Sequence, residues 1–222
     1  MTLIKICGIT NLADALAACE AGADVIGLNF YRLSPRMVSV EDAREIRTRL
    51  PAGVRTFGVF VNEESREILR VMREVGLDAL QLHGDEEPGV VTELAPVAPV
   101  FKALRVGADF SAATLEKYAD AAGFLFDAAE GAAGQYGGTG RLADWGVAQQ
   151  AARGHRIFLA GGLSPENVGA AIAQVRPYGV DVASGVESAP GLKDHERLRE
   201  FIVAARQADR VMNPTAEKIP TR

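Results

Sequence analysis

The sequence predicts an α/β protein of one domain, a closed (β/α)8 TIM barrel. Three observations predict it. Eight short β-branched and aliphatic runs recur along the chain, each followed by a helix-like stretch, which is the alternation of βαβ units over a parallel sheet. Their starts advance by about 20 to 35 residues, room for one loop, one helix and one return loop. No linker interrupts the series before residue 209, and 222 residues shared among eight units leaves about 28 for each, near the lower end for this fold. The expected organisation is therefore a barrel over residues 1–208 and a polar tail, with two prolines, over 209–222.

The expected strands are Leu3 to Ile6, Val25 to Phe30, Thr56 to Val61, Ala79 to His83, Val100 to Val106, Gly123 to Phe126, Ile157 to Ala160 and Val180 to Ala183. Several are apolar almost throughout, as strands covered on both faces by helices should be. The segments between them carry helix punctuation. Thr10 or Asn11 can cap a helix over Ala13 to Glu20, which Gly22 stops. Ser39 with Asp42 opens a helix that Pro51 ends. Glu64 to Val75 places Ile68, Leu69, Met72 and Val75 at helical spacing before Gly76. Glu87 to Ala95, Ser111 to Ala119, Asp144 to Ala152, Ser164 to Val175 and Asp194 to Ala208 complete the set. An open doubly wound sheet is the competing architecture, but a dinucleotide-binding sheet would be expected to show G-x-G-x-x-G after an early strand. The first strand here runs into Cys7-Gly8-Ile9-Thr10 instead.

Composition narrows the function. At 48% hydrophobic and 24% charged the chain matches an ordinary globular protein, which argues against disorder and coiled coil. A net charge of −5, with no basic block, lacks the electrostatic footprint of a nucleic-acid binder. No apolar run approaches the 18 or so residues of a membrane span, so no membrane partner is expected. Two cysteines, Cys7 and Cys19, form neither a disulfide framework nor a metal knuckle, and a cytoplasmic setting is expected.

In a barrel of this kind chemistry gathers at the C-terminal ends of the strands. Those positions hold Cys7, Asn29, Asn62, His83, Arg105, Asp127, Gly161-Gly162 and Ser184-Gly185. The glycines after strands seven and eight let backbone N–H groups approach an anion closely, and these two loops form the recurrent phosphate site of the fold. Tight βα turns alone would also use such glycines.

Six blocks carry a resemblance. They are Lys5-Ile6-Cys7-Gly8-Ile9-Thr10, Ser34-Pro35-Arg36, Gln81-Leu82-His83-Gly84, Phe126-Asp127 with Gly137-Gly138-Thr139-Gly140, Leu159-Ala160-Gly161-Gly162-Leu163, and Asp181-Val182-Ala183-Ser184-Gly185-Val186-Glu187. In this order they resemble the phosphoribosylanthranilate isomerase family over nearly the whole chain, and Gly191-Leu192-Lys193-Asp194 is similar to its entry into the last helix. Asn29 to Leu33 and Ala183 depart from the family's usual spelling.

The resemblance implies an Amadori rearrangement in tryptophan biosynthesis, from N-(5-phosphoribosyl)anthranilate to 1-(2-carboxyphenylamino)-1-deoxyribulose 5-phosphate, without cofactor or metal. One acid must protonate the furanose oxygen as the ring opens, and one base must take the proton at C2. Cys7 is the candidate base, expected to have its thiolate favoured by the N-terminus of the following helix. Alone, a strand-end cysteine reads more readily as a small buried side chain. Asp127 is the candidate acid, at the end of an apolar strand that suits a carboxyl holding a proton, though a strand-end Asp also caps turns. Arg36 is expected to pair with the anthranilate carboxylate. His83 and Asp181 are expected to line or orient the pocket. Phosphate contacts are assigned to Gly161, Gly162, Ser184 and Gly185, and to Gly138 in a Gly-rich stretch expected to fold over the substrate. The partner is thus a small phosphorylated substrate, and the chain itself a monomer or homodimer. Two other readings compete: the histidine-pathway phosphoribosyl isomerase, which resembles a two-carboxylate solution, and a barrel that binds phosphorylated ligands without catalysis.

Overall fold

The computed structural model describes residues 1–107, 110–128 and 144–212. Eight parallel strands close into a barrel in chain order: β1 (Leu3–Cys7), β2 (Val25–Asn29), β3 (Arg55–Phe60), β4 (Ala79–Leu82), β5 (Val100–Val106), β6 (Gly123–Ala128), β7 (Ile157–Leu159) and β8 (Gly179–Val182), with β8 returning to pair with β1. Around them run α1 (Leu12–Ala21), α2 (Val40–Arg49), α3 (Ser65–Val75), α4 (Pro88–Leu94), α5 (Ala113–Glu116), α6 (Trp145–Ala151), α7 (Val168–Val175) and α8 (His195–Met212). Between β8 and α8 lie a 3-10 turn, Ser184–Val186, and an antiparallel hairpin of β9 (Glu187–Ala189) and β10 (Leu192–Lys193). Among the described residues no helix is long and apolar enough to cross a membrane.

Local chemistry sets most helix ends where the sequence places them. Asn11, not Thr10, caps α1, accepting from the Asp14 amide at 2.9 Å. The Thr10 hydroxyl donates to Gly191 O at 2.6 Å and so ties the start of α1 to the β9–β10 hairpin. Ser39 caps α2 through the Asp42 amide, and Asp144 caps α6. Gly22 and Gly76 take the left-handed conformation that ends α1 and α3.

Three helices differ from expectation. The fifth is one turn, Ala113–Glu116, instead of reaching from Ser111 to Ala119. The seventh begins at Val168, because Ser164 and Asn167 form a turn in which the Ser164 amide donates to Asn167 Oδ1. The eighth continues to Met212, beyond the expected end at Ala208. Asp209, expected to open the polar tail, is buried, and its carboxylate accepts from Thr2 N and Oγ1, both at 2.8 Å. Its charge therefore holds α8 to the start of β1.

Period-2 alternation divides the strand side chains between two cores. One face packs against the helices. The other fills the barrel, where Phe57, Phe101 and Phe158 form a cluster with ring centroids 5.0 to 5.7 Å apart. This aromatic plug closes the lower half of the barrel. Above it the interior turns polar, with Lys5, Gln81, Asp127 and Asp181 all buried.

Candidate active site

A cleft of about 730 Å³, including its open mouth, lies over that polar layer at the C-terminal ends of the strands. It gathers Cys7 from β1, Arg36 from the loop after β2, His83 after β4, Asp127 on β6 and Asp181 on β8. Gly161, Gly162, Ser184 and Gly185 line the same cleft from the loops after β7 and β8. Gly138 and the Gly-rich stretch around it lie outside the described residues. Asn62, also at a strand end, is not in the cleft wall: its Oδ1 accepts from the Asp85 amide, bracing the loop after β4. Arg105 lines an adjoining depression with Lys102 and Tyr118.

The surroundings of Cys7 differ from the expected ones. Helix α1 starts only at Leu12, so its N-terminal amides serve Asn11 and the turn. Burial pushes the Cys7 thiol up, and the Asp181 carboxylate acts the same way, against the lowering effect of Lys5 and Lys193. Two of the groups favouring the thiolate are thus buried lysines. Lys5, two residues earlier on the same face of β1, places Nζ 2.7 Å from Asp181 Oδ1. Burial works against its ammonium, yet Asp181 and Cys7 together carry its pKa above the ordinary lysine value. Lys193 closes the seam behind them, donating to Cys7 O at 2.7 Å, Ala183 O at 3.2 Å and Glu187 Oε1 at 2.8 Å.

Arg36 is held rather than loose. Its Nε and Nη2 both engage the Glu187 carboxylate, while Nη1 has no protein partner among the described residues and remains available to an anion. Gly8, at φ +72°, makes room for this arm, since a Cβ there would stand 2.6 Å from Arg36 Cδ. Across the mouth, Gln81 Nε2 lies 2.8 Å from His83 Nδ1. With the amide donating, Nδ1 is the acceptor and the ring hydrogen sits on Nε2, which is 3.4 Å from Asp127 Oδ2.

The loops after β7 and β8 touch: a Cβ on Gly185 would collide with the Leu163 carbonyl. Gly161 and Gly162 both take positive φ, and neither amide has a protein acceptor among the described residues. The only helical piece here is the three-residue turn Ser184–Val186, so anion binding in these loops falls to individual amides.

Lys5, Gln81, Glu187 and Lys193 brace the cleft residues Asp181, His83, Arg36 and Cys7, although the sequence reading assigned them no part. For Lys5 and Gln81 a signal existed: each is a polar residue inside an apolar strand, two positions before a candidate site residue and therefore on its face.

A closed barrel with a charge-lined cleft at the C-terminal ends of its strands is the plan of a (β/α)8-barrel enzyme acting on a small molecule. The sequence model of N-(5'phosphoribosyl)anthranilate (PRA) isomerase matches residues 4–204. The chain belongs to this family, the aldose–ketose isomerases of tryptophan biosynthesis. It is 49% identical over 207 residues to the N-(5'-phosphoribosyl)anthranilate isomerase of Rubrobacter xylanophilus, covering 93% of this chain and 100% of the relative. The crystal structure of phosphoribosyl anthranilate isomerase from Thermotoga maritima superposes with a TM-score of 0.86 at 44% identity, over 93% of this chain and all of that one. A second crystal structure, of a phosphoribosyl anthranilate isomerase in complex with reduced 1-(o-carboxyphenylamino)-1-deoxyribulose 5-phosphate, gives a TM-score of 0.83 at 42% identity, over 93% of this chain and 100% of that chain.

Proposed function

We propose that this chain rearranges N-(5-phosphoribosyl)anthranilate with Cys7 as general base and Asp127 as general acid. The observation that carries the assignment is the order of strands round the mouth. Cys7 on β1 and Asp127 on β6 are separated by β7 and β8, whose loops are the assigned phosphate site. A sugar phosphate anchored between them has the base on one wall and the acid on the other.

The Asp127 carboxyl gives its proton to the furanose oxygen as the C1–O bond breaks, and the anilino nitrogen supplies the electron pair that forms the iminium. Cys7 thiolate then takes the C2 proton. The C–H pair moves into the C1–C2 bond, the iminium becomes an amine, and the enolamine tautomerises to the ketose. Arg36 faces the anthranilate carboxylate through Nη1, with Glu187 fixing its plane. The ligand named for the solved relative carries both of these anionic groups, a carboxyphenyl and a 5-phosphate.

The test is turnover in Cys7→Ser and Asp127→Asn, which keep side-chain shape. Each should fold as the parent does and lose at least about 100-fold in kcat, the usual span of one acid or base. A variant with near-parental kcat/KM removes its residue from the mechanism. Turnover of the histidine-pathway substrate in place of the anthranilate would instead favour the two-carboxylate alternative.

A further inference from the structure

Lys5 is fully buried inside the barrel, one side-chain layer below the cleft. A buried ion pair returns its desolvation cost only with good geometry and further hydrogen bonds, so a Lys–Asp pair in this layer is weak evidence for a stabilising device. Neighbouring positions of the barrel interior use Val25, Ala103 and Leu125, which fill the space without that cost. What sets Lys5 apart is its position beneath Cys7. The two residues share a face of β1, and Lys5 registers with Asp181 on β8 while Cys7 registers with Gly27 on β2. Gly27 gives thiol and ammonium a common space: a Cβ there would stand 2.8 Å from Cys7 Sγ and 3.1 Å from Lys5 Nζ. Lys5 hydrogen-bonds Asp181 there, and its ammonium borders the same space as the Cys7 sulfur.

We propose that Lys5 is a positioning residue for the isomerisation: pinned by Asp181, its ammonium donates to the Cys7 sulfur and stabilises the thiolate that removes the C2 proton. The inference rests on the reading of Cys7 as the base. In the step, the C2–H bond breaks and the S–H bond forms, while the ammonium keeps its own protons. Other charges face Cys7 as well. Asp181 from β8 opposes the thiolate, and Lys193 from β10 and the Arg36 guanidinium favour it. Yet Lys193 gives its hydrogen bonds to Cys7 O, Ala183 O and Glu187, and Arg36 gives those of its side chain to Glu187. Lys5 is the cation whose ammonium borders the same Gly27 space as the sulfur.

The experiment uses the full chain with Cys19→Ser, so that iodoacetamide alkylation reads Cys7 alone. Alkylation rate and kcat/KM are followed against pH in this parent, in Lys5→Gln and in Lys5→Arg. Lys5→Gln should move the alkylation midpoint up by about one pH unit or more, the scale of a lost adjacent charge. Its kcat should fall at least about tenfold while KM changes little, and Lys5→Arg should restore part of both. A folded Lys5→Gln with the parental midpoint and kcat overturns the proposal. If Lys5→Gln does not fold, Gly27→Ala carries the test, because its methyl parts Sγ from Nζ with both charges present. An upward midpoint supports the proposal there, and an unchanged midpoint and kcat overturn it. Failure of the underlying reading looks different: an active Cys7→Ser variant removes the base itself, whereas an inactive one with an unmoved Lys5→Gln midpoint removes only Lys5.

Discussion

Glu187 Oε2 lies 2.7 Å from Arg36 Nη2, and both Glu187 oxygens accept from Arg36 Nε, at 2.9 and 3.1 Å. The carboxylate is nearly inaccessible, at 4% side-chain exposure against 16% for the arginine. Arg36 therefore has a fixed plane before any substrate arrives, which reduces the rotamer freedom lost on binding. Glu187→Gln should release that plane and raise KM roughly five- to tenfold, with kcat changed less. On the proposed assignment Arg36→Met should raise KM further, since the substrate carboxylate would then lose a charge-assisted bond. Steady-state kinetics of both variants decides it, and an unchanged KM in Arg36→Met removes Arg36 from binding.

Gln81 sits beneath His83 much as Lys5 sits beneath Cys7. Its amide is buried, and Oε1 has no hydrogen-bond partner among the described residues. The contact that orients the imidazole is Gln81 Nε2 to His83 Nδ1 at 2.8 Å. Gln81→Leu removes it at similar volume. The loss of one such bond, about 1 kcal/mol, should lower kcat roughly fivefold. Imidazole nitrogen shifts by NMR should show the Nε2–H form dominant in the parent and mixed tautomers in the variant. The same tautomer in both proteins would place the orienting contact elsewhere.

The barrel, its eight strands and most helix caps were legible because they rest on local patterns: apolar runs, cap residues and stop glycines. That the candidate residues at the strand ends share one cleft was legible for a related reason, since the fold brings those ends together whatever the details. What escaped was set by contacts between distant residues. Asp209 looked like the start of a tail because its partner, Thr2, is at the other end of the chain. Glu187 and Lys193 acquire meaning only when the β9–β10 hairpin folds back on β1 and the loop after β2. Cys7 was expected to draw on a helix terminus, but the helix starts four residues beyond Gly8, and buried side chains supply the field instead.

The link between chain ends should be measurable. Asp209→Ala leaves the buried Thr2 amide and hydroxyl without their acceptor, each bond being 2.8 Å long. Unpaired buried groups cost about 1–3 kcal/mol each, so destabilisation of roughly 2–4 kcal/mol is expected after relaxation toward solvent. For comparison, Phe158→Ala opens the aromatic plug and should cost about 3–5 kcal/mol. Urea unfolding followed by circular dichroism gives both values. An Asp209→Ala loss under about 0.5 kcal/mol would show that α8 ends functionally where the sequence pattern placed it.

Acid should weaken the protein partly through Glu187. Burial raises its pKa, but Arg36 and Lys193 outweigh that and hold it below the ordinary 4.5. The native state therefore binds the proton less readily than the unfolded chain does. Its contribution to stability is fully present above about pH 4.5, and it is lost as pH falls through that value toward the native pKa. Lys193 and Arg36 remain protonated throughout this window, so the carboxylate alone changes. At pH 7 Glu187→Gln leaves the buried Lys193 and the half-buried Arg36 facing an amide, and a stability loss of roughly 2–3 kcal/mol is expected, below the cost of breaking a fully buried pair because Arg36 retains some solvent contact. Between pH 4.5 and 3 the parent should lose its advantage, and its Tm should converge on that of the variant. Melting curves at pH 7, 5, 4 and 3 test this, and a gap in Tm that stays constant across the series would show that Glu187 is not the group titrating.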